Sequence, residues 1–146
     1  MRLTKNHWVW SVMLIVTVIL CAVILILHFK NWISSDNESL KLRSGFYHVE
    51  IQYSDLDSVL LIDRMPPMER LNGFSALEKE KGVFREFKDS LTNKKVHVFV
   101  DNISQQKVKL VYEDSVYLYF NLKDSVETIN LLDDLTAKMN TLRIPN

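Results

Sequence analysis

Side chains that could do chemistry are few, and they are scattered along the chain. His48 and His97 each lie inside an alternating apolar and polar segment, with Glu50 and Asp101 as their nearest carboxylates. Zinc and related ions need three or four Cys, His or carboxylate ligands at suitable spacings. The single cysteine, Cys21, falls within an apolar run, so an internal disulfide is excluded. We therefore predict neither a metal site nor a bound cofactor.

Three aspartates come closest to a pair of catalytic carboxylates. Asp55 and Asp57 lie on a predicted tight turn and Asp63 at a predicted strand end, which are positions where aspartate is common for turn formation. Acid–base catalysis by paired carboxylates also needs an apolar pocket and a reaction partner, and no motif supplies them. Ser54 and Ser58 lack the glycine-flanked elbow of serine hydrolases. We therefore predict that the protein is not an enzyme.

An uncharged apolar run extends from Trp8 to Leu27. About 20 helical residues are needed to cross a hydrocarbon core of about 30 Å. A cleavable signal peptide has a shorter core, about 7 to 15 residues, and a small-residue exit site that is missing here. A lipoprotein signal at Cys21 is disfavoured because Leu20 precedes it. We predict a tail over 1–7 and a retained single-pass transmembrane helix from Trp8 to Phe29, with the bilayer as a partner.

The distribution of charge bears on topology and on partners. Arg2 and Lys5 precede the apolar run, whereas Lys30 follows it closely and Lys41 and Arg43 lie farther away. This small asymmetry favours a cytoplasmic N-terminus in the cell membrane, with the following domain on the extracytoplasmic side. Beyond the anchor, 16 basic residues stand against 18 acidic ones. No concentrated basic surface is expected, which argues against nucleic-acid binding.

After the anchor, residues 30–43 are polar and mixed in charge, and we predict a linker there. A period of two follows, which is typical of half-buried strands. Met65-Pro66-Pro67-Met68 interrupts it, Asn72-Gly73 predicts a bulge, and residues 78–82 predict a charged turn. About seven strands in an antiparallel meander are predicted, over 46–53, 58–63, 70–77, 83–87, 94–101, 107–114 and 116–121.

A helix is predicted to end the chain. Asp124 can cap its first free amides, and Glu127 can complete a capping box. Apolar residues then recur every three or four positions and predict one buried stripe. The stripe consists of Ile129, Leu132, Leu135, Met139 and Leu142. Such a helix would close an open barrel, giving a mainly β domain over 44–142.

Three segments carry a resemblance to a known family: SGFYHVEIQYSDLDSVLLID, NGFSALEKEKGVFREF and VYLYFNLKDSVETINLLDDL. In their order and local residues they resemble the bacterial pleckstrin-homology-like (PH-like) domain proteins, over about 44–135. The resemblance implies seven strands in two orthogonal antiparallel sheets, or an open barrel, closed at one end by the C-terminal helix. Members are often attached to membrane segments, and their biochemical roles are largely undefined.

Lipid headgroup recognition is the first activity to weigh for such a fold. Phosphoinositide-binding relatives place Lys and Arg around the loop between the first two strands. Here that loop contains Asp55 and Asp57, whose carboxylates would repel a phosphate. We therefore expect no phosphoinositide binding. Four lysines could contact anionic lipid if the domain were cytoplasmic, although a solvated strand face is the alternative. They are Lys94, Lys95, Lys107 and Lys109.

These observations favour a membrane-anchored, non-catalytic interaction module. Its sheet edge, or a groove beside the last helix, would bind a protein or peptide partner. Phe99, Tyr117 and Tyr119 lie on the alternate strand face and are the candidate contact residues, with inner packing as the alternative. A structural subunit of a larger cell-envelope assembly, for secretion or transfer, remains a second hypothesis.

Overall fold

A computed structural model describes residues 5–87 and 94–143 of the chain. These residues form two α-helices, nine strands and a short 3-10 turn at Tyr53–Asp55. The helices are α1 (Lys5–Phe29) and α2 (Ser125–Arg143). The strands are β1 (Asn31–Ser35), β2 (Ser39–Ser44), β3 (Tyr47–Gln52), β4 (Leu56–Ile62), β5 (Met68–Ala76), β6 (Lys79–Glu86), β7 (Val96–Val100), β8 (Lys107–Tyr112) and β9 (Val116–Asn121).

Helix α1 contains the predicted anchor. Its segment His7–Leu27 is long and apolar enough to cross a membrane, with a mean hydropathy of 3.0 over its most apolar 18 residues. None of that segment is buried against the rest of the chain, unlike the core helix of a globular fold. The hydroxyls of Ser11 and Thr17 donate to the carbonyl oxygens of His7 and Met13, one turn back. These two hydroxyls are thus satisfied within the helix, as a hydrocarbon environment requires.

The segment predicted as a linker, 30–43, instead forms β1 and most of β2. Together with β3 they make a three-stranded antiparallel sheet in which Asn31 pairs with Ser44. Leu40 and Leu42 are buried in the core, and Lys41 and Arg43 alternate with them. That period of two was obscured by the polar residues before it. The β domain therefore begins at Asn31, two residues after the end of α1.

All seven predicted strands are present in the larger sheet and in β3, but the meander is wrong. The second sheet has six strands in the order β4-β8-β9-β7-β6-β5, and β7 runs parallel to β9. Hydrophobic alternation reveals strands but not their partners. The central position of β7 is nevertheless visible in its composition, since Val98, Phe99 and Val100 are consecutive and all buried. A strand packed on both faces loses its alternation.

The hairpin between β5 and β6 confirms the predicted bulge and corrects the predicted turn. The register shifts between Arg70 and Asn72. The turn, however, is confined to Leu77 and Glu78, and residues 79–82, expected in a charged turn, belong to β6. Lys81 is only 1% exposed. Its burial depends on an ion pair described below, which local sequence does not reveal.

Two hydrophobic clusters lie on opposite faces of the large sheet. The first fills the space between this sheet, the three-stranded sheet and α2, and includes Leu40, Leu110, Phe120 and Leu135. The second consists of Phe84, Val96, Val98, Val100 and Tyr119. It is covered by Ile62, Met65, Met68 and Tyr117. Both faces of the sheet centre are therefore packed.

The connection over residues 63–67 shows that the large sheet is curled. It joins β4 and β5, which are the two edge strands. Six flat strands would separate those edges by about 24 Å, at about 4.8 Å per strand. Six Cα-to-Cα steps reach about 20 Å. The sheet curls without closing, since β4 and β5 are not hydrogen-bonded neighbours.

Helix α2 begins where predicted, with Asp124 Oδ1 accepting a hydrogen bond from Val126 N at 2.8 Å. Leu135 is fully buried, and Leu132 and Met139 pack against the first cluster. The predicted stripe is wrong at its two ends, because Ile129 and Leu142 are exposed. Leu131 packs against the cluster instead. The helix covers the sheet only along its middle turns.

Candidate functional site

The three aromatic residues proposed as partner contacts lie on two different faces. Tyr119 pairs with Val98 across the parallel β7–β9 ladder and packs in the second cluster, where Tyr117 lies at the margin. Phe99 belongs to the first cluster and is 0% exposed. Its ring lies 6.2 Å from that of Tyr47. Phe99 therefore offers no surface to a partner. Tyr119 is also buried, at 1% exposure, and half-buried Tyr117 lies beside it.

Tyr119 borders an open groove of about 420 Å³ between the connection after β4 and the β8–β9 surface, and Tyr117 adjoins it through its contact with Lys109. We call it the aromatic groove. Tyr119 Oη donates to Glu86 Oε1 at 3.2 Å, and burial raises the pKa of the Tyr119 hydroxyl. Lys109 Nζ lies 4.2 Å from the centroid of the Tyr117 ring. The lining residues are Ile62, Arg64, Met65, Pro66, Pro67, Glu86, Lys109 and Tyr119.

The polar groups at the aromatic groove are held by contacts with their neighbours. A raised pKa keeps the Tyr119 hydroxyl neutral, so it acts as a fixed donor to Glu86. The Lys109 ammonium lies over the face of the Tyr117 ring in a cation–π contact. This contact fixes the position of the ammonium and leaves its positive charge unneutralised. Apart from Arg64, the remaining lining residues are apolar or proline. Together these groups can bind an extended segment that carries apolar and acidic side chains.

The four lysines proposed as lipid contacts do not form one surface. Lys107 is buried, and its Nζ donates to the carbonyl oxygens of Asp63 at 2.9 Å and Ile103 at 2.5 Å. Burial lowers the pKa of the Lys107 ammonium. Lys109 faces the aromatic groove. Lys94 and Lys95 are exposed just before β7, about 16 Å along that strand from its end near α1.

The candidate catalytic aspartates serve as links between neighbouring turns. Asp57 Oδ2 accepts from Asp114 N at 2.9 Å, and the Asp55 carbonyl oxygen accepts from Glu113 N at 3.1 Å. Asp63 Oδ1 accepts from Gln106 Nε2 at 2.8 Å. Over residues 5–87 and 94–143, no group of three or more His, Cys, Asp or Glu side chains is placed to hold a metal ion.

A buried polar cluster around Asp101 was not predicted. Asp101 Oδ1 lies 2.8 Å from Lys81 Nζ and 3.2 Å from Lys79 Nζ, and Oδ2 accepts from Asn31 N at 3.3 Å. Burial lowers the pKa of Lys81. Asn121 Oδ1 accepts from Asp101 N at 2.8 Å. We call these residues the junction cluster, because Asn31 begins the domain directly after α1.

The side chain of Asn31 completes the junction cluster. Its Nδ2 donates to the carbonyl oxygens of Phe99 at 2.6 Å and Asn121 at 3.1 Å. Its Oδ1 accepts from Ser44 Oγ at 2.6 Å. One buried amide thus connects the strand after α1 to β2, β7 and β9. The sequence signal was a lone asparagine next to the anchor, which by itself indicates nothing.

A second missed cluster joins β1 to α2 and has the residue types of a serine–lysine catalytic pair. Ser35 Oγ lies 2.8 Å from Tyr53 Oη and donates to Asp134 Oδ2 at 2.9 Å. Lys138 Nζ lies 3.0 Å from Asp134 Oδ2, and that hydrogen bond raises the pKa of Lys138. A lysine base needs a lowered pKa. Lys138 Nζ also donates to Ser35 Oγ, so the cluster fastens β1 to α2.

Comparison of this chain with protein-family models, curated proteins and solved structures found no match.

Proposed function

We propose that this chain is a membrane-anchored, non-catalytic interaction module. Its β domain, of PH-like architecture, would bind an extended protein segment in the aromatic groove. Support for the architecture comes from the order of elements: strands in two sheets followed by a C-terminal helix packed on one face. The parallel β7–β9 pair in a six-stranded sheet departs from the antiparallel pattern that the resemblance implies, and β1 and β2 precede the family-like segment.

The observation that carries the proposal is the arrangement of Lys109 and Tyr117. The ammonium is held 4.2 Å from the ring centroid, at the wall of a groove that also contains Arg64. Glu86, the carboxylate in that wall, already accepts a hydrogen bond from the Tyr119 hydroxyl. The two cations therefore favour an acidic side chain on the bound segment, and the apolar wall around Met65 favours a hydrophobic neighbour.

Attachment to the membrane would help such a groove to bind a partner that lies in the same membrane. The junction cluster binds the first domain residue, Asn31, by four hydrogen bonds. Because Asn31 lies two residues after α1, the β domain and its groove stay close to the bilayer. Confinement to the membrane raises the effective concentration of a partner that is also membrane-bound, so a modest intrinsic affinity suffices.

Photocrosslinking in membranes tests this function. A photoreactive phenylalanine replacing Tyr117 in the full chain is expected to give one defined adduct, whose peptide carries Asp or Glu near the crosslink. The same probe at Lys94, exposed and outside the groove, is the control. With the identified partner purified, Lys109→Glu should weaken binding about tenfold or more, because one charge is reversed at a contact. Lys94→Glu should leave it unchanged.

Three results would count against the proposed function. Equal effects of the two charge reversals would remove the groove as the binding site. Adducts with many envelope proteins from both probe positions would favour the larger-assembly hypothesis. Substrate turnover that depends on described groove residues would contradict the non-catalytic assignment.

A further inference from the structure

We propose that two hairpin tips at the base of the β domain insert into the bilayer interface beside α1. The first tip is Gly45 and Phe46, between β2 and β3; the second is Leu77 and Glu78, between β5 and β6. The inference rests on the anchoring part of the proposed function and is independent of the aromatic groove. It assigns the lipid interface as the occupant of an exposed apolar surface.

Strand register places the first tip on the helix side of the domain. Asn31, two residues after α1, pairs with Ser44, and the chain turns immediately afterwards at Gly45 and Phe46. Phe46 is 82% exposed. With Ile24 and Leu27 of α1 it lines a cavity of about 400 Å³. Ile24 lies about 7.5 Å before the helix end, at 1.5 Å per residue, so the ring reaches back alongside apolar helix.

The second tip lies at the same end of the domain. Lys79, which follows it, contacts Asp101, and Asp101 accepts from Asn31 N. Leu77 is 93% exposed and adopts a left-handed backbone with φ of 55°. Leucine seldom adopts that conformation. Together with Ile26 of α1, Leu77 lines a cavity of about 1150 Å³.

The two tips flank the helix on different sides. Ile24 and Ile26 are two residues apart, so their side chains point about 200° apart around the helix axis. If water filled the cavities beside the two tips, it would contact the apolar side chains of α1. When α1 crosses a bilayer, acyl chains and headgroups fill these spaces, and Phe46 and Leu77 contact them. Large exposed apolar side chains next to an anchor are typical of interfacial contact.

Charged groups around the tips are of both signs, so apolar insertion rather than attraction to anionic lipid drives the contact. The basic and acidic residues lining the two cavities are Lys30, Arg43, Lys79, Lys123, Glu78, Asp101, Asp124 and Glu127. Trp32, whose ring lies 5.0 Å from Lys30 Nζ, is half-exposed at the same level. Tryptophan prefers that depth of the bilayer.

Depth-dependent fluorescence quenching tests the insertion. The full chain carrying Cys21→Ser receives a single cysteine, Phe46→Cys or Leu77→Cys, labelled with an environment-sensitive dye and reconstituted in neutral phosphatidylcholine vesicles. The high exposure of both residues means that neither substitution removes core packing. Phe87→Cys is the matched control, because Phe87 is also exposed, at 61%, but lies about 25 Å away at the other end of β6. Leu14→Cys reports on the anchor itself.

Lipids with a shallow nitroxide should quench the dye at Phe46→Cys and Leu77→Cys about threefold more than at Phe87→Cys, as expected for insertion about 5–10 Å deep. A deep nitroxide should quench at Leu14→Cys. If Leu14→Cys is quenched and both tips match Phe87→Cys, the insertion is wrong while the anchor stands. If Leu14→Cys also escapes quenching, the anchor and the insertion both fail.

Discussion

At the scale of single residues, His97 is a half-buried titratable group whose burial has a measurable effect on stability. Burial is the main cause that lowers its pKa from 6.5, and the charge of Lys95 adds to it. The ring lies 6.1 Å from the Phe99 ring. Between the lowered native pKa and 6.5, the unfolded chain binds a proton that the native chain does not. Stability therefore rises with pH through this window and is complete above it.

We expect His97→Phe to flatten that slope. The measurement is urea unfolding of the full chain in detergent between pH 7 and pH 5. The urea midpoint of the wild type should fall as the pH falls, and that of the variant should fall less. His48→Phe is the control, because His48 is exposed on β3 and meets solvent in both states. A parallel decline of wild type and His97→Phe would show that carboxylates alone account for the pH dependence.

Residue roles were predictable where they are local. The helix cap at Asp124 depends only on residues close to it in sequence, and the structure confirms this predicted cap. The sequence predicts a charged turn at Lys81 and a lipid contact or solvated strand face at Lys107. Their partners, Asp101 and the carbonyl oxygens of Asp63 and Ile103, lie in other elements or loops. A lysine's own neighbours do not reveal that tertiary structure supplies it with buried partners. Phe99 illustrates the same limit. Alternation predicts that it shares a face with Tyr117 and Tyr119, whereas the strand pairing places it on the opposite face of the sheet.

At the scale of elements, the β5–β6 hairpin depends on a pair of glycines. Gly73 and Gly82 face each other across the ladder with φ of 133° and 145°. A Cβ at Gly82 would lie 2.1 Å from the carbonyl oxygen of Asn72, and one at Gly73 would lie 2.1 Å from that of Lys81. Backbone, not a flexible side chain, occupies the space. The bulge lets the two strands approach this closely.

We expect Gly82→Ala to destabilise the chain by about 2 kcal/mol or more, from steric overlap and a left-handed backbone. A lowered urea midpoint with an unchanged slope would show it. Gly45→Asn is the control, because its φ of 59° is one that asparagine tolerates. Equal stability of Gly82→Ala and wild type would mean that the strands can separate at this point without cost.

Element existence was largely predictable and element boundaries were not. Seven strands and α2 followed from periodicity, because each buries one face or stripe. Strands β1 and β2 were missed since Ser34, Ser35, Asp36 and Asn37 favour chain reversals and concealed the short Leu40–Leu42 alternation. The polar stretch is the β1–β2 hairpin itself, where Asp36 N donates to the Ser39 carbonyl oxygen at 2.9 Å.

At the scale of the whole molecule, the pairing of strands lay beyond sequence reasoning. The parallel β7–β9 ladder and the placement of β4 beside β8 depend on which curled sheet packs best against β2, β3 and α2. Two layers of structure meet at one point, the junction cluster. There the anchor-proximal strand, the β5–β6 hairpin and the ends of β7 and β9 share buried polar contacts. We therefore expect the stability of the whole domain to depend on the hydrogen bonds of the junction cluster.

Asn31→Asp tests that dependence with a change that keeps the size of the side chain. The carboxylate loses both Nδ2 donations and places negative charge against the carbonyl oxygens of Phe99 and Asn121. Two buried acceptors left unpaired should cost about 3 kcal/mol or more, with further loss from the buried charge. Asn37→Asp makes the same chemical change at an exposed position and should be neutral. Urea unfolding in detergent measures both. A native-like midpoint for Asn31→Asp would mean that the stability of the domain does not depend on the buried amide of Asn31.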